Sequence, residues 1–85
     1  MAYHIEIRPA AYRELGALPK GLRERITPKI DLLADNPYPP RTNKLAGAGK
    51  RYRVRISEYR VVYDVHRDVL LILVIRMGHK REVYR

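Results

Sequence analysis

This sequence predicts an α+β fold of two layers, β-α-α-β-β-β in order, with an N-terminal αα-hairpin packed on a mainly antiparallel four-stranded sheet. Two observations carry the prediction. Apolar residues recur at every second position at the start of the chain, switch to a helical period between Ala10 and Asp35, and return to the period of two from Arg51 onward. The chain has 85 residues, 46% apolar and 32% charged, enough for one compact core and too few for two, so residues 1–85 are read as a single domain.

The elements follow in order. Tyr3-His4-Ile5-Glu6-Ile7-Arg8 puts Tyr3, Ile5 and Ile7 on one side, as a half-buried strand does. Pro9 ends that strand and suits the first turn of a helix. Ala11, Leu15 and Leu18 then stand at i, i+4 and i+7, which predicts a short amphipathic helix over residues 10–18, stopped by Pro19 and slightly weakened by Gly16. A second helix is predicted from about Gly21 to Asp35, because Leu22, Ile26, Ile30 and Leu33 form one stripe. Pro28 falls inside it and removes one hydrogen bond, at a cost of about 3 kcal/mol in a straight helix, so a kink or a later start is expected. Asn36-Pro37-Tyr38-Pro39-Pro40 cannot continue the helix, and Arg41 to Gly49 reads as an extended connector.

From Arg51 to Ile56 the alternation is unbroken: Tyr52, Val54 and Ile56 face a core, while Arg51, Arg53 and Arg55 face away. Ser57-Glu58 is the expected turn, although the pair is a poor match for the primed two-residue hairpins and a longer loop is the alternative. Tyr59 to His66 returns as a strand, and a two-residue turn sets Ile56 opposite Tyr59, Arg55 opposite Arg60, Val54 opposite Val61 and Arg53 opposite Val62. Arg67-Asp68 turns the chain again. Val69 to Arg76 is apolar on both faces, as a central strand is. Met77 to Arg85 contains one Gly and a cluster of polar side chains.

Composition excludes several classes of function. The absence of Cys removes disulfides and thiolate zinc sites. The longest apolar run, Val69 to Ile75, falls well short of the roughly 20 residues that span a bilayer. The N-terminus has no basic segment followed by a long apolar one, so no signal peptide is expected and the cytoplasm is the expected location. The net charge is +9, and 13 of the 18 basic residues are Arg. Residues 1–42 carry seven basic and five acidic groups, and residues 43–85 carry eleven and four. An anion-binding surface therefore belongs to the C-terminal half, and nucleic acid is the partner such a surface most often serves, with an acidic protein or anionic lipid as alternatives.

Arg51, Arg53, Arg55 and Arg60 would share one sheet face with no carboxylate between them, and Arg55 opposite Arg60 works against the sheet. A solvated strand face explains any one of them; a polyanion lying across the sheet explains the set. The tail Gly78-His79-Lys80-Arg81-Glu82-Val83-Tyr84-Arg85 adds an imidazole, three cations and a phenol directly after the central strand. His4, His66 and His79 are dispersed, so no metal site is expected. No nucleophilic Cys exists, Ser57 is the single Ser, and no Gly-rich phosphate loop opens a helix.

Lys44-Leu45, Tyr52-Arg53-Val54-Arg55-Ile56, Tyr59-Arg60-Val61-Val62-Tyr63 and Arg76-Met77-Gly78-His79-Lys80-Arg81-Glu82-Val83-Tyr84 together resemble the RelE branch of the RelE/ParE toxin superfamily. The resemblance covers nearly the whole chain. It implies a RelE-like fold and the toxin of a type II toxin–antitoxin pair, a metal- and cofactor-independent endoribonuclease that cuts mRNA in the ribosomal A site by 2′-OH attack. Carried over by position, it places Arg53, Arg55, Arg60, Arg81 and Tyr84 in the catalytic set. The first two are Lys in the best-known member, and an Arg, unlike a Lys, does not give up its proton. His79, whose ordinary pKa lies near neutrality, is the candidate acid or base in their place. Lys44, Lys50, Arg51, Lys80 and Arg85 are expected to hold ribosomal RNA or flanking phosphates. The implied partners are a RelB-like antitoxin, the ribosome and its mRNA, with operator DNA bound only through the antitoxin complex and no membrane. The competing readings are a ParE-like inhibitor of DNA gyrase and a nucleic-acid-binding relative without catalysis.

Overall fold

The computed structural model describes residues 2–45 and 49–79. In chain order the elements are β1 (His4–Ile7), α1 (Pro9–Gly16), α2 (Lys20–Asp31) followed by a 3-10 turn (Leu32–Ala34), β2 (Thr42–Lys44), β3 (Arg51–Ile56), β4 (Tyr59–His66) and β5 (Leu71–His79). One sheet contains all five strands in the order β1-β5-β4-β3-β2. β1 runs parallel to β5, and every other neighbouring pair is antiparallel.

The two-layer α+β arrangement is the expected one. The sheet has a fifth strand because part of the expected connector, Thr42–Lys44, pairs with Val54, Arg53 and Tyr52 of β3. One face of the sheet is covered. Ala11 and Leu15 of α1, Ile26 and Ile30 of α2, and Leu33 pack against Val54, Ile56, Val61, Tyr63, Val65, Ile72, Val74 and Met77. Each large side chain among them stabilises the fold by about 1.5–3 kcal/mol when removed from water.

Three local features set the frame around the open face of the sheet. First, α2 runs unbroken through Pro28. Pro28 and Glu24, the residue whose carbonyl loses its donor, are both exposed, so water can satisfy that carbonyl. Second, β5 extends to His79, three residues past the expected end. β1 stops pairing at Val74, and beyond it Glu14 of α1 takes over the strand edge. Its Oε1 accepts the Met77 N–H at 2.8 Å, and its Oε2 pairs with the Arg76 guanidinium at 2.9–3.0 Å. Third, tyrosines fasten the Pro37–Pro40 loop to the sheet. Tyr63, fully buried, donates its hydroxyl to the Pro37 carbonyl at 2.6 Å. Tyr52 stacks on Tyr63 and takes Tyr38 edge-on, with ring centroids 6.1 and 5.0 Å apart.

Candidate active site

β3 and β4 pair in the expected register, Ile56 with Tyr59, Arg55 with Arg60, Val54 with Val61 and Arg53 with Val62. The turn holds only Ser57 and Glu58, and Ser57 adopts φ 57°, the left-handed backbone that a tight hairpin requires and that Gly adopts more readily. Residues opposite each other in a ladder project from the same face. With Val54, Ile56, Val61 and Met77 in the core, Arg53, Arg55 and Arg60 stand on the face the helices leave open.

The remaining strands complete two rows across that face. Asn43 is opposite Arg53, and Arg53 opposite Val62. Arg41 precedes β2, and its carbonyl accepts the Arg55 N–H at 3.2 Å, which continues the ladder by one step. Arg41, Arg55 and Arg60 therefore form a transverse line of cations. β5 contributes Gly78, which carries no side chain, directly opposite Arg60. Arg41, Asn43, Arg53, Arg55 and Arg60 together line an open cavity of about 420 Å³. Arg41 and Asn43 are absent from the expected site. Their membership depends on a strand too short to show a period and on a register that only the folded sheet supplies.

The cations of the sheet differ in what holds them. Arg51 is tied to Asp64 through two hydrogen bonds, 2.8 Å from Nε and 3.1 Å from the terminal nitrogen. Asp64 is buried and lies directly opposite in the ladder. That hydrogen bond and the carboxylate charge raise the Arg51 pKa above its already high value. The expectation of an arginine face without a carboxylate is corrected by this pair, since β4 supplies Asp64 opposite Arg51, neither of which lines the cavity. Arg55 donates its Nε to the Ser57 carbonyl at 3.1 Å and has Glu58 at 3.8 Å. These contacts orient the guanidinium and leave it largely at the surface.

Other expected residues lie elsewhere. His79 is opposite Tyr59, edge-on to its ring at 5.7 Å, and so projects from the helix-covered face, across the sheet from Arg55 and Arg60. It does not line the cavity. Lys44 is exposed and opposite Tyr52, also on the helix side, and Lys50 is exposed in the loop before β3. Lys80, Arg81, Tyr84 and Arg85 lie outside the described residues.

Comparison with known proteins places this geometry in a family. The family described as the ParE toxin of type II toxin–antitoxin systems, parDE, matches residues 5–84. A RelE-like toxin protein of Escherichia coli is 33% identical over 96% of this chain and 86% of its own length. The mRNA interferase toxin RelE of Escherichia coli is 31% identical over 99% of this chain and 92% of its own. The archaeal RelE–RelB complex from Pyrococcus horikoshii contains a chain that superposes with a TM-score of 0.84 at 28% identity, covering 98% of this chain and 100% of that one. The isolated Escherichia coli RelE toxin superposes with a TM-score of 0.80 at 30% identity, covering 98% and 92%. The sheet with its arginine-lined open face, matched along almost its whole length, belongs to the ParE toxin family of the RelE/ParE superfamily, and the chain is a toxin of a type II toxin–antitoxin system.

Proposed function

We propose that this toxin is a ribosome-dependent endoribonuclease that cuts mRNA in the A site. The observation that carries the reading is the open cavity in which Arg53, Arg55 and Arg60 converge on one sheet face. Relatives named mRNA interferase at 31% identity support it.

The reaction is an in-line displacement. The 2′-oxygen loses its proton and bonds to phosphorus, the bond from phosphorus to the 5′-oxygen breaks, and the departing oxygen takes a proton, leaving a 2′,3′-cyclic phosphate and a 5′-hydroxyl. Negative charge grows on the non-bridging oxygens as the phosphorane forms. Arg53, Arg55 and Arg60 are preorganised cations on a rigid sheet, suited to that charge, and Arg81 of the tail is the proposed fourth, nearest the leaving oxygen. An arginine remains protonated at neutral pH and cannot accept the 2′-OH proton. His79 faces the other side of the sheet, so proton transfer and base orientation fall to the tail, where Tyr84 is the proposed group. A RelB-like acidic chain is the proposed antitoxin, in keeping with relatives solved as RelE–RelB complexes, and the cytoplasm, where translating ribosomes are found, is the proposed place of action.

The match to the ParE toxin family favours one second reading, inhibition of DNA gyrase. A primer-extension assay on a defined mRNA in a purified translation mixture separates the two. New 5′ ends that need ribosomes and vanish in an Arg81→Ala, Tyr84→Phe variant are the expected result. Intact mRNA, with loss of supercoiling in a gyrase assay, would transfer the toxin to the second reading.

A further inference from the structure

We infer that Arg41 holds the phosphate next to the scissile one, at the β2 end of the arginine line. The inference rests on the nuclease reading and adds to it a residue that the carried-over set does not contain.

Four observations converge on Arg41. It is the outermost member of the transverse line Arg41, Arg55, Arg60, in which neighbouring strands are about 4.8 Å apart. A single RNA strand lying along that line meets Arg60 and Arg55 at one phosphate and Arg41 further out. Arg41 also adopts φ 71°, a left-handed backbone that an arginine occupies at a cost and that persists where its surroundings impose it. The surroundings here are explicit: the Arg41 carbonyl is bound by the Arg55 N–H, and the preceding loop is anchored through Pro37 to Tyr63. Among the described residues, no ion pair or hydrogen bond engages the Arg41 guanidinium, whereas Arg51 and Arg76 are bound to carboxylates. Finally, Arg41 stands on the ridge between two cavities. It lines the basic one and also a neighbouring trough of about 460 Å³ floored by Leu33, Pro40, Val54 and Ile56. A strand passing Arg41 leaves the arginine pocket over that trough.

The alternative for an exposed arginine is solvation with no role. A charge that merely raises solubility would be equally useful on ordinary backbone, and the structure instead holds this one in a costly conformation beside the cavity.

The test exploits that conformation. Arg41→Gly removes the cation, keeps the carbonyl that Arg55 binds, and places at φ 71° the residue best suited to it, so the fold is retained, as thermal unfolding verifies. Single-turnover cleavage on programmed ribosomes is measured for wild type, Arg41→Gly, Arg41→Lys and, as a charge control, Arg13→Gln on α1. The mRNA is either unmodified or carries one uncharged methylphosphonate at the linkage 5′ or 3′ of the cut. On unmodified mRNA, Arg41→Gly is expected to raise the half-saturating toxin concentration about tenfold, the scale of one charge-assisted phosphate contact, with the maximal rate within about twofold of wild type. Arg41→Lys recovers part of the loss, and Arg13→Gln matches wild type. One of the two methylphosphonates then costs wild type about as much as the substitution does and costs Arg41→Gly almost nothing more. Equal, additive penalties in both proteins at both linkages would overturn the assignment, as would an Arg41→Gly curve identical to that of Arg13→Gln. Failure of wild type to cut unmodified mRNA is a separate result that removes the nuclease reading itself, and this inference with it.

Discussion

Two arginines on the same sheet face illustrate how differently one residue type can serve. Arg51 answers a buried carboxylate, and its removal leaves Asp64 desolvated without a partner. Because the Arg51 side chain is itself 40% exposed, part of that loss is relieved by water, and Arg51→Ala is expected to cost about 2 kcal/mol of stability with cleavage retained. Arg60 faces Arg55 directly, an arrangement that opposes folding. Arg60→Gln, which keeps a polar side chain at that position, is expected to leave the protein folded while lowering cleavage on the order of a hundredfold or more. Urea titrations paired with cleavage rates measure both. The opposite pattern, Arg51→Ala inactive but stable and Arg60→Gln unfolded, would reverse the two assignments.

At the scale of elements, the loop from Asn36 to Pro40 is held by Tyr63, whose phenol donates to Pro37 from a fully buried position. Burial pushes that phenol up to about 12. An unfolded tyrosine titrates near 10, so between those values the unfolded chain has released the proton and the folded one retains it. Stability is then fully present below about pH 10 and falls at about 1.4 kcal/mol per unit as pH rises toward 12. Tyr63→Phe is expected to lose about 1 kcal/mol at neutral pH through the missing hydrogen bond and to show a flatter alkaline decline than wild type. Matching alkaline profiles for the two proteins would show that the phenol titrates freely. The same loop marks the limit of what the sequence makes legible. The β3–β4 register is readable because six alternating residues and a second alternating run flank Ser57-Glu58, and of the two loop lengths the sequence allows the structure has the two-residue turn. β2 is not readable, since Thr42-Asn43-Lys44 is too short to show a period and pairs only because the tyrosines bring the loop against β3. For that reason Arg41 and Asn43 escape a reading by pattern, whereas Arg53, Arg55 and Arg60 do not. The far end of β5 escapes it as well: Met77-Gly78-His79 has no apolar period, and its edge is satisfied by Glu14, 63 positions away from Met77 in the chain.

Over the whole molecule, a net charge of +9 on 85 residues acts on folding and on binding with opposite signs. The described residues have a radius of gyration of 11.9 Å, close to the Debye length of about 10 Å at 0.1 M salt, so repulsion among their cations is felt across the fold at low ionic strength. Added salt screens it. Binding to RNA works the other way, because each phosphate neutralised by an arginine releases a counterion and added salt reverses the gain, with a slope of about −0.7 per contact on a single strand. Raising sodium chloride from about 50 to about 500 mM is therefore expected to increase the unfolding midpoint in urea, a neutral denaturant, while the affinity for ribosomes or RNA falls by orders of magnitude. Arg60→Gln should reduce both responses, the repulsive term by one charge and the binding slope by about one contact. If stability were instead to fall with salt, net attraction within the chain, through pairs such as Arg51–Asp64 and Arg76–Glu14, would outweigh the repulsion among the cations of the open face.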